Sequence, residues 1–194
     1  MGKDMVENIL LRIAKSAILS KFEDISSVDE DSILREYPYL QKDGASFVTL
    51  KYDGDLRGCI GSIVPHRRLI DDIVLNAISA SFKDPRFNPI SSAEFLHLNL
   101  EVSILSEPEI LEYEDYEDLL QKVRPNIDGL ILTHKGHQGT FLPQVWEQLS
   151  TSKEFLEHLS TKAGATPSIY SEHPTIYRYE VEHIQEEFNK IQKL

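Results

Sequence analysis

The sequence has a single cysteine, Cys59, among 194 residues. An intramolecular disulfide and a multi-cysteine zinc site are therefore both excluded. No stretch approaches the roughly 18 consecutive apolar residues that a membrane helix needs, and acids interrupt the apolar positions of Met1 to Lys15, unlike a secretory leader. The expectation is a soluble cytoplasmic protein with a free thiol and no membrane partner. Basic residues are also short: 20 Lys and Arg stand against 32 Asp and Glu, a formal net charge of −12 with a pI near 5.0. Such a chain repels a polyanion, so no nucleic-acid partner is expected. Glycine and proline, nine of each, are too few for a low-complexity chain, and no repeat of fixed period is present.

What is present suits an ordinary globular protein, with 41% hydrophobic and 27% charged residues. The length fits one domain over residues 1–194, or two small lobes. Between Asp4 and about Phe22, Met5, Val6, Ile9, Leu10, Ile13, Ala17 and Ile18 recur at helical spacing, which predicts an amphipathic helix covering a sheet. A short second helix is expected from Asp29–Ser32 to just before Pro38. Phe47 to Tyr52 and Leu56 to Ile60 read as two strands of a hairpin turned by Asp53-Gly54-Asp55. Pro65 suits a first helical turn, and Leu69 to Ile78 carry a helical stripe that ends at Asp84-Pro85-Arg86-Phe87. Leu98, Leu100, Val102 and Ile104 alternate with polar residues, as in a half-buried antiparallel strand.

Beyond it, the acidic stretch Glu112 to Asp118 reads as a solvated loop and helix start. Leu130 to Thr133 and Thr140 to Leu142 flank a glycine-rich turn, Lys135 to Gly139. Thr151 and Glu154 form a capping box that opens a helix running to Gly164. Thr175 to Val181 reads as a last strand and Glu182 onwards as a polar terminal helix. Hairpins mixed with helices, without regular strand-helix alternation, give an α+β class with mainly antiparallel sheet.

The chemistry centres on Leu56-Arg57-Gly58-Cys59-Ile60-Gly61. Alternation along a strand points Arg57 and Cys59 one way and Leu56 and Ile60 the other, the apolar pair towards the core. A guanidinium beside the thiol would stabilise the thiolate, making Cys59 a candidate nucleophile and Arg57 an anion contact or thiolate stabiliser. Gly58 and Gly61 permit close approach of a ligand. The same reasoning places Thr49, Lys51, Asn99, Glu101 and Ser103 on one sheet face, with Glu101 a candidate ligand contact. Gln144, at a strand-to-helix junction, is suited to binding a ligand or to capping backbone groups. Asp84 and Arg86 read as a structural link at the edge of the site. The alternative remains open: a buried structural Cys59, glycines that serve packing, and an Arg57–Glu101 ion pair. His66 reads as an exposed loop histidine, and His134 with His137 as turn residues, so no metal site is expected.

The hexapeptide resembles the signature of the AMMECR family, called AmmeMemoRadiSam system protein A in microbes. Further segments fit in order: Asp84-Pro85-Arg86-Phe87, Leu100 to Ser106, Asp128-Gly129-Leu130, Leu142-Pro143-Gln144-Val145 and Lys162-Ala163-Gly164. The resemblance implies two lobes built on antiparallel sheets flanked by helices, the larger including both termini, with a cleft near the cysteine motif. It also implies association with a Memo-type protein, related to extradiol dioxygenases, and with a radical-SAM protein. It implies no cofactor and no established activity. Thr140 and Phe141 stand where the family usually has leucines, and Trp146 to Ser152 depart from its Gly-Trp pattern. The function expected is a ligand-binding or thiol-dependent catalytic cleft, with a non-catalytic adaptor as the alternative.

Overall fold

The computed structural model describes residues 3–23 and 29–194, with the side chains of the first helix described from Ile9 onward. Met5 and Val6 of the expected stripe therefore lie outside the described side chains. In chain order the elements are α1 Lys3–Leu19, α2 Glu30–Glu36, β1 Ala45–Tyr52, β2 Asp55–Gly61, α3 Leu69–Phe82, β3 Leu98–Leu105, β4 Glu109–Ile110, α4 Tyr116–Lys122, β5 Gly129–His134, β6 His137–Phe141, α5 Ser152–Lys162, β7 Thr175–Tyr179 and β8 Val181–Glu187. Short 3-10 helices fill several connections. The chain divides into two compact units, Met1–Leu105 with Glu182–Leu194, and Ser106–Val181.

The first unit is built on a sheet of order β2-β1-β3-β8. The β1–β2 hairpin turns at Asp53 and Gly54, both at positive φ (48° and 95°), as the tight turn that matches strand twist requires. One face of β1 and β3, carrying Val48, Leu50, Leu100 and Val102, is fully buried and joins one core with Ile9, Ile13 and Ile18 of α1 and Ile73 and Ala77 of α3. Each such side chain contributes about 1.5–3 kcal/mol on leaving water. The alternation of β1 and β3 and the helical stripes of α1 and α3 thus meet in one core, α3 over β1 and β2 and α1 over β3.

The start of α3 differs from expectation. Pro65 lies in a loop, and the helix begins after Arg68. The chain ahead of it is held in strand-like pairing by Gly44 N–H on Arg67 O (3.1 Å) and Leu69 N–H on Lys42 O (2.8 Å). Inside the first turn of α3, the buried Asp72 accepts from Ser46 N–H (2.8 Å), the Ser46 hydroxyl (2.7 Å), the Ser62 hydroxyl (2.6 Å) and Asn76 Nδ2 (2.9 Å). It ties the start of β1 and the end of β2 to the helix.

The segment after Val181 is a strand rather than the expected terminal helix. Val181 and Ile184 have near-helical spacing, but β8 lies at the sheet edge next to β3. The order offered by that free edge outweighs local preference. The chain then leaves the sheet and is stapled to α1 by the buried Lys15, whose Nζ donates to Phe188 O (2.7 Å) and Ile191 O (2.5 Å).

The second unit is a sheet of order β4-β7-β5-β6. Leu130, Leu132 and Ile176 bury into a core with Phe155, Leu156 and Leu159 of α5 and Trp146. Trp146 stacks on Phe155 at 3.9 Å between ring centroids and donates to Asp128 O at 2.8 Å. The second hairpin is tighter than the five-residue turn expected. Lys135 and Gly136 alone make it, at φ 45° and 88°, and His137 already pairs with His134. The capping box at Thr151 and Glu154 is present and opens α5.

Candidate functional site

The hexapeptide forms the edge strand β2, and a bulge shapes it. Gly58 pairs with Leu50, Cys59 with Thr49 and Ile60 with Val48, but Lys51 pairs with Leu56, leaving Arg57 as an extra residue. Alternation holds from Arg57 to Gly61 and breaks before it. Leu56 therefore does not face the core with Ile60, as strict alternation predicted. It shares the face of Lys51 and Cys59 and is 44% exposed, because one inserted residue moves a side chain to the other side of a strand.

On the core side, a Cβ on Gly58 would lie 2.2 Å from the Ala80 carbonyl oxygen in the last full turn of α3. Gly58 thus lets helix and edge strand touch. On the opposite face, which Cys59 shares, Gly61 lies beneath its β1 partner Phe47, whose ring would meet a Cβ at 2.2 Å. In this structure the two glycines admit parts of the protein itself.

On the other side, β2, β1 and β3 align Cys59, Thr49 and Glu101 in one row, with Leu56, Lys51 and Asn99 in the next. Strand spacing makes the first row about 10 Å from end to end. The Thr49 hydroxyl donates to Cys59 Sγ at 3.3 Å. Lys51 Nζ meets Glu101 Oε2 at 3.0 Å, and the Ser103 hydroxyl points to Glu101 Oε1 at 3.5 Å. Cys59 is a free, half-buried thiol.

The outward backbone groups of Cys59 are also held. Asp84 Oδ2 accepts its N–H at 3.0 Å, and Arg86 Nη2 donates to its carbonyl at 3.2 Å. Arg86 also grips Asp84 with two nitrogens, Nε on Oδ1 at 2.9 Å and Nη2 on Oδ2 at 2.7 Å. This carboxylate-guanidinium pair stands in for a neighbouring strand at an otherwise open sheet edge. Arg86 holds the almost fully buried Asp84 carboxyl well below the usual carboxylate range; burial opposes this, and the Cys59 and Arg86 N–H groups reinforce it. Arg86 in turn binds its proton more tightly, through Asp84 and against the opposing effect of burial.

Arg57 has other partners than those read from the sequence. Its Nε binds Glu94 Oε1 at 2.7 Å and its Nη1 binds Asn88 O at 2.8 Å, with Phe87 5.9 Å from the guanidinium. Glu94 also closes the Ser91 capping box. Burial works against the Glu94 carboxylate, yet Arg57 and Ser91 keep its proton affinity below the ordinary value. The ion pairs on the sheet are thus Arg57–Glu94 and Lys51–Glu101, in place of an Arg57–Glu101 pair. Sequence reasoning missed Glu94, although the pattern Ser91-x-x-Glu94 marks a helix start. It also missed Asp72, which no local pattern announces.

Gln144 is exposed in a 3-10 turn, Pro143–Glu147, of the second unit. His66 is exposed ahead of α3, with Nδ1 2.9 Å from Val64 O. His134 meets Glu172 at 3.1 Å and His137 meets Ala163 O at 3.2 Å. Among the described residues no group of three or more His, Cys, Asp or Glu side chains is placed to hold a metal, and no helix is long and apolar enough to cross a membrane.

Comparison with known proteins gives a consistent picture. A protein of Methanothermobacter thermautotrophicus is 39% identical over 143 residues, 73% of this chain and 74% of its own. One from Methanocaldococcus jannaschii is 36% identical over 159 residues, 79% of each chain. The crystal structure of an uncharacterised protein from Pyrococcus horikoshii superposes with a TM-score of 0.76 at 31% identity, over 93% of this chain and 91% of that one. The AMMECR1 family model matches residues 11–184, and the chain belongs to the AMMECR1 family.

Proposed function

We propose that the Cys59 face of the first sheet binds a small molecule or a modified group on a partner, with the Cys59 thiol as the contacting or attacking atom. The observation that carries this reading is the hydrogen bond from the Thr49 hydroxyl to Cys59 Sγ, in a row that continues to Glu101. That contact fixes the position of the sulfur on the open face of the sheet. Lys51 and Glu101 supply one charge of each sign beside it, enough to orient a polar ligand. Arg57 is only 17% exposed and is bound to Glu94 and Asn88, whereas the Arg86 side chain, anchored on Asp84, is 53% exposed and is the more accessible cation. Treatment with iodoacetamide at pH 7, followed by intact mass, tests the reading. Alkylation about tenfold or more faster than free cysteine supports it, and a rate equal to free cysteine overturns it.

A second reading, an adaptor without chemistry, draws on the structural use of much of the hexapeptide: Gly58 against α3, Gly61 under Phe47, and Arg57 on Glu94. In either reading the proposed partners are a Memo-type and a radical-SAM protein, which family membership suggests. Capture from native cells at low and moderate salt should recover one of them; its repeated absence from the eluate counts against partnership.

A further inference from the structure

The first unit holds a cavity of about 310 Å3 where α1, α2 and α3 meet, within the roughly 300–1,000 Å3 range of small-molecule sites. Ile13 and Ala17 of α1, Ile33 of α2 and Val74 of α3 give it apolar walls. Its polar groups are more selective. Ser16 lies three residues after Ile13, on the same side of α1, and is 6% exposed. Among the described residues its hydroxyl accepts one hydrogen bond, from Leu194 N–H at 3.2 Å, and donates none. A buried hydroxyl whose proton has no acceptor carries an unmet hydrogen bond, which an oxygen of a molecule in the cavity would complete. Ser20, also in the lining, differs: its proton goes to Ala17 O at 2.7 Å. Charge narrows the choice further. The charged side chains that line the cavity are both carboxylates, Glu30 and Asp71. Arg68 bridges them at 2.9 and 2.7 Å, which leaves one negative charge in excess, in a chain of net charge −12. An anion is repelled there.

We propose that the cavity between α1, α2 and α3 binds a small uncharged molecule, an alcohol or carbonyl compound, whose apolar body fills the space and whose oxygen accepts from the Ser16 hydroxyl. Carboxylic acids of the same shape are turned away by Glu30 and Asp71. This site lies on the helix-covered side of the sheet, the side away from Cys59, and stands whatever the thiol does.

Acetophenone, α-methylstyrene and benzoate test it, since they share one shape and differ in carrying a carbonyl, an alkene or a carboxylate. Each is titrated at pH 7 into the full chain labelled with nitrogen-15, and the backbone amide shifts are fitted for affinity. Acetophenone should bind saturably, with the shifts centred on α1, α2 and α3, and benzoate at least about tenfold more weakly. Ser16→Ala should weaken acetophenone about threefold to tenfold, the effect of one hydrogen bond, and change α-methylstyrene by less than about twofold. Val74→Trp fills the cavity from α3 and should abolish binding of both neutral probes; Ile33→Trp does the same from α2, and thermal melts show which variant keeps the fold. No saturable binding of acetophenone to wild type, or binding undiminished in a folded cavity-filling variant, overturns the site. An equal effect of Ser16→Ala on the two neutral probes overturns the hydrogen bond, and benzoate binding as tightly as acetophenone overturns the selection by charge.

Discussion

At the scale of single residues, the Asp84–Arg86 pair decides how Cys59 is presented. Asp84 is almost fully buried while the Arg86 side chain is half exposed, and both carboxylate oxygens accept hydrogen bonds, so an amide in its place loses the charge and sets an NH2 donor against the guanidinium or the Cys59 N–H. Asp84→Asn should destabilise the protein by roughly 2–3 kcal/mol at pH 7, read by urea denaturation. The Asp84 carboxyl is held below its ordinary value. Its contribution is therefore complete above the unfolded pKa of about 4 and is lost as the pH falls further. The difference between wild type and variant should be widest near neutrality and narrow below about pH 4. A difference that grows on acidification would mean that Asp84 acts in its protonated form.

At the scale of elements, α3 is the scaffold of the hexapeptide. Asp72 in its first turn holds Ser62, Ala80 near its end receives Gly58, and Asp84 just beyond it holds Cys59. Gly58→Ala drives a methyl into the Ala80 carbonyl and should cost roughly 2–4 kcal/mol by chemical denaturation. Gly54→Ala, at a positive φ but with nothing within 4 Å, should cost only about 1 kcal/mol. Equal costs would refute close helix-strand contact at Gly58. These elements were legible in the sequence to different degrees. Period-two alternation marked β3, and Asp-Gly marked the first turn. The bulge left no mark, because the residue after it is a glycine with no side chain to violate the pattern. The face of Thr49, Cys59 and Glu101 could be read from alternation, whereas the pairing of Arg57 with Glu94 required the path of residues 83–97, which long-range packing sets. β8 was hidden because its two apolar residues are three apart and its strand state comes from pairing at a distant edge.

For the whole molecule, the net charge of −12 is the property with the longest reach. Labelled duplex DNA or RNA should show no rise in anisotropy with the protein at about 50 mM salt, where phosphate contacts are strongest; salt-sensitive binding would reveal a local basic surface strong enough to overcome that charge. The central claim, that the Cys59 thiol is prepared for contact with a ligand, is most directly tested by comparing iodoacetamide alkylation of wild type and Thr49→Val at pH 7. The account predicts a wild-type rate well above that of free cysteine and a several-fold slower variant with an unchanged unfolding midpoint. Equal rates in wild type, variant and free cysteine would contradict it.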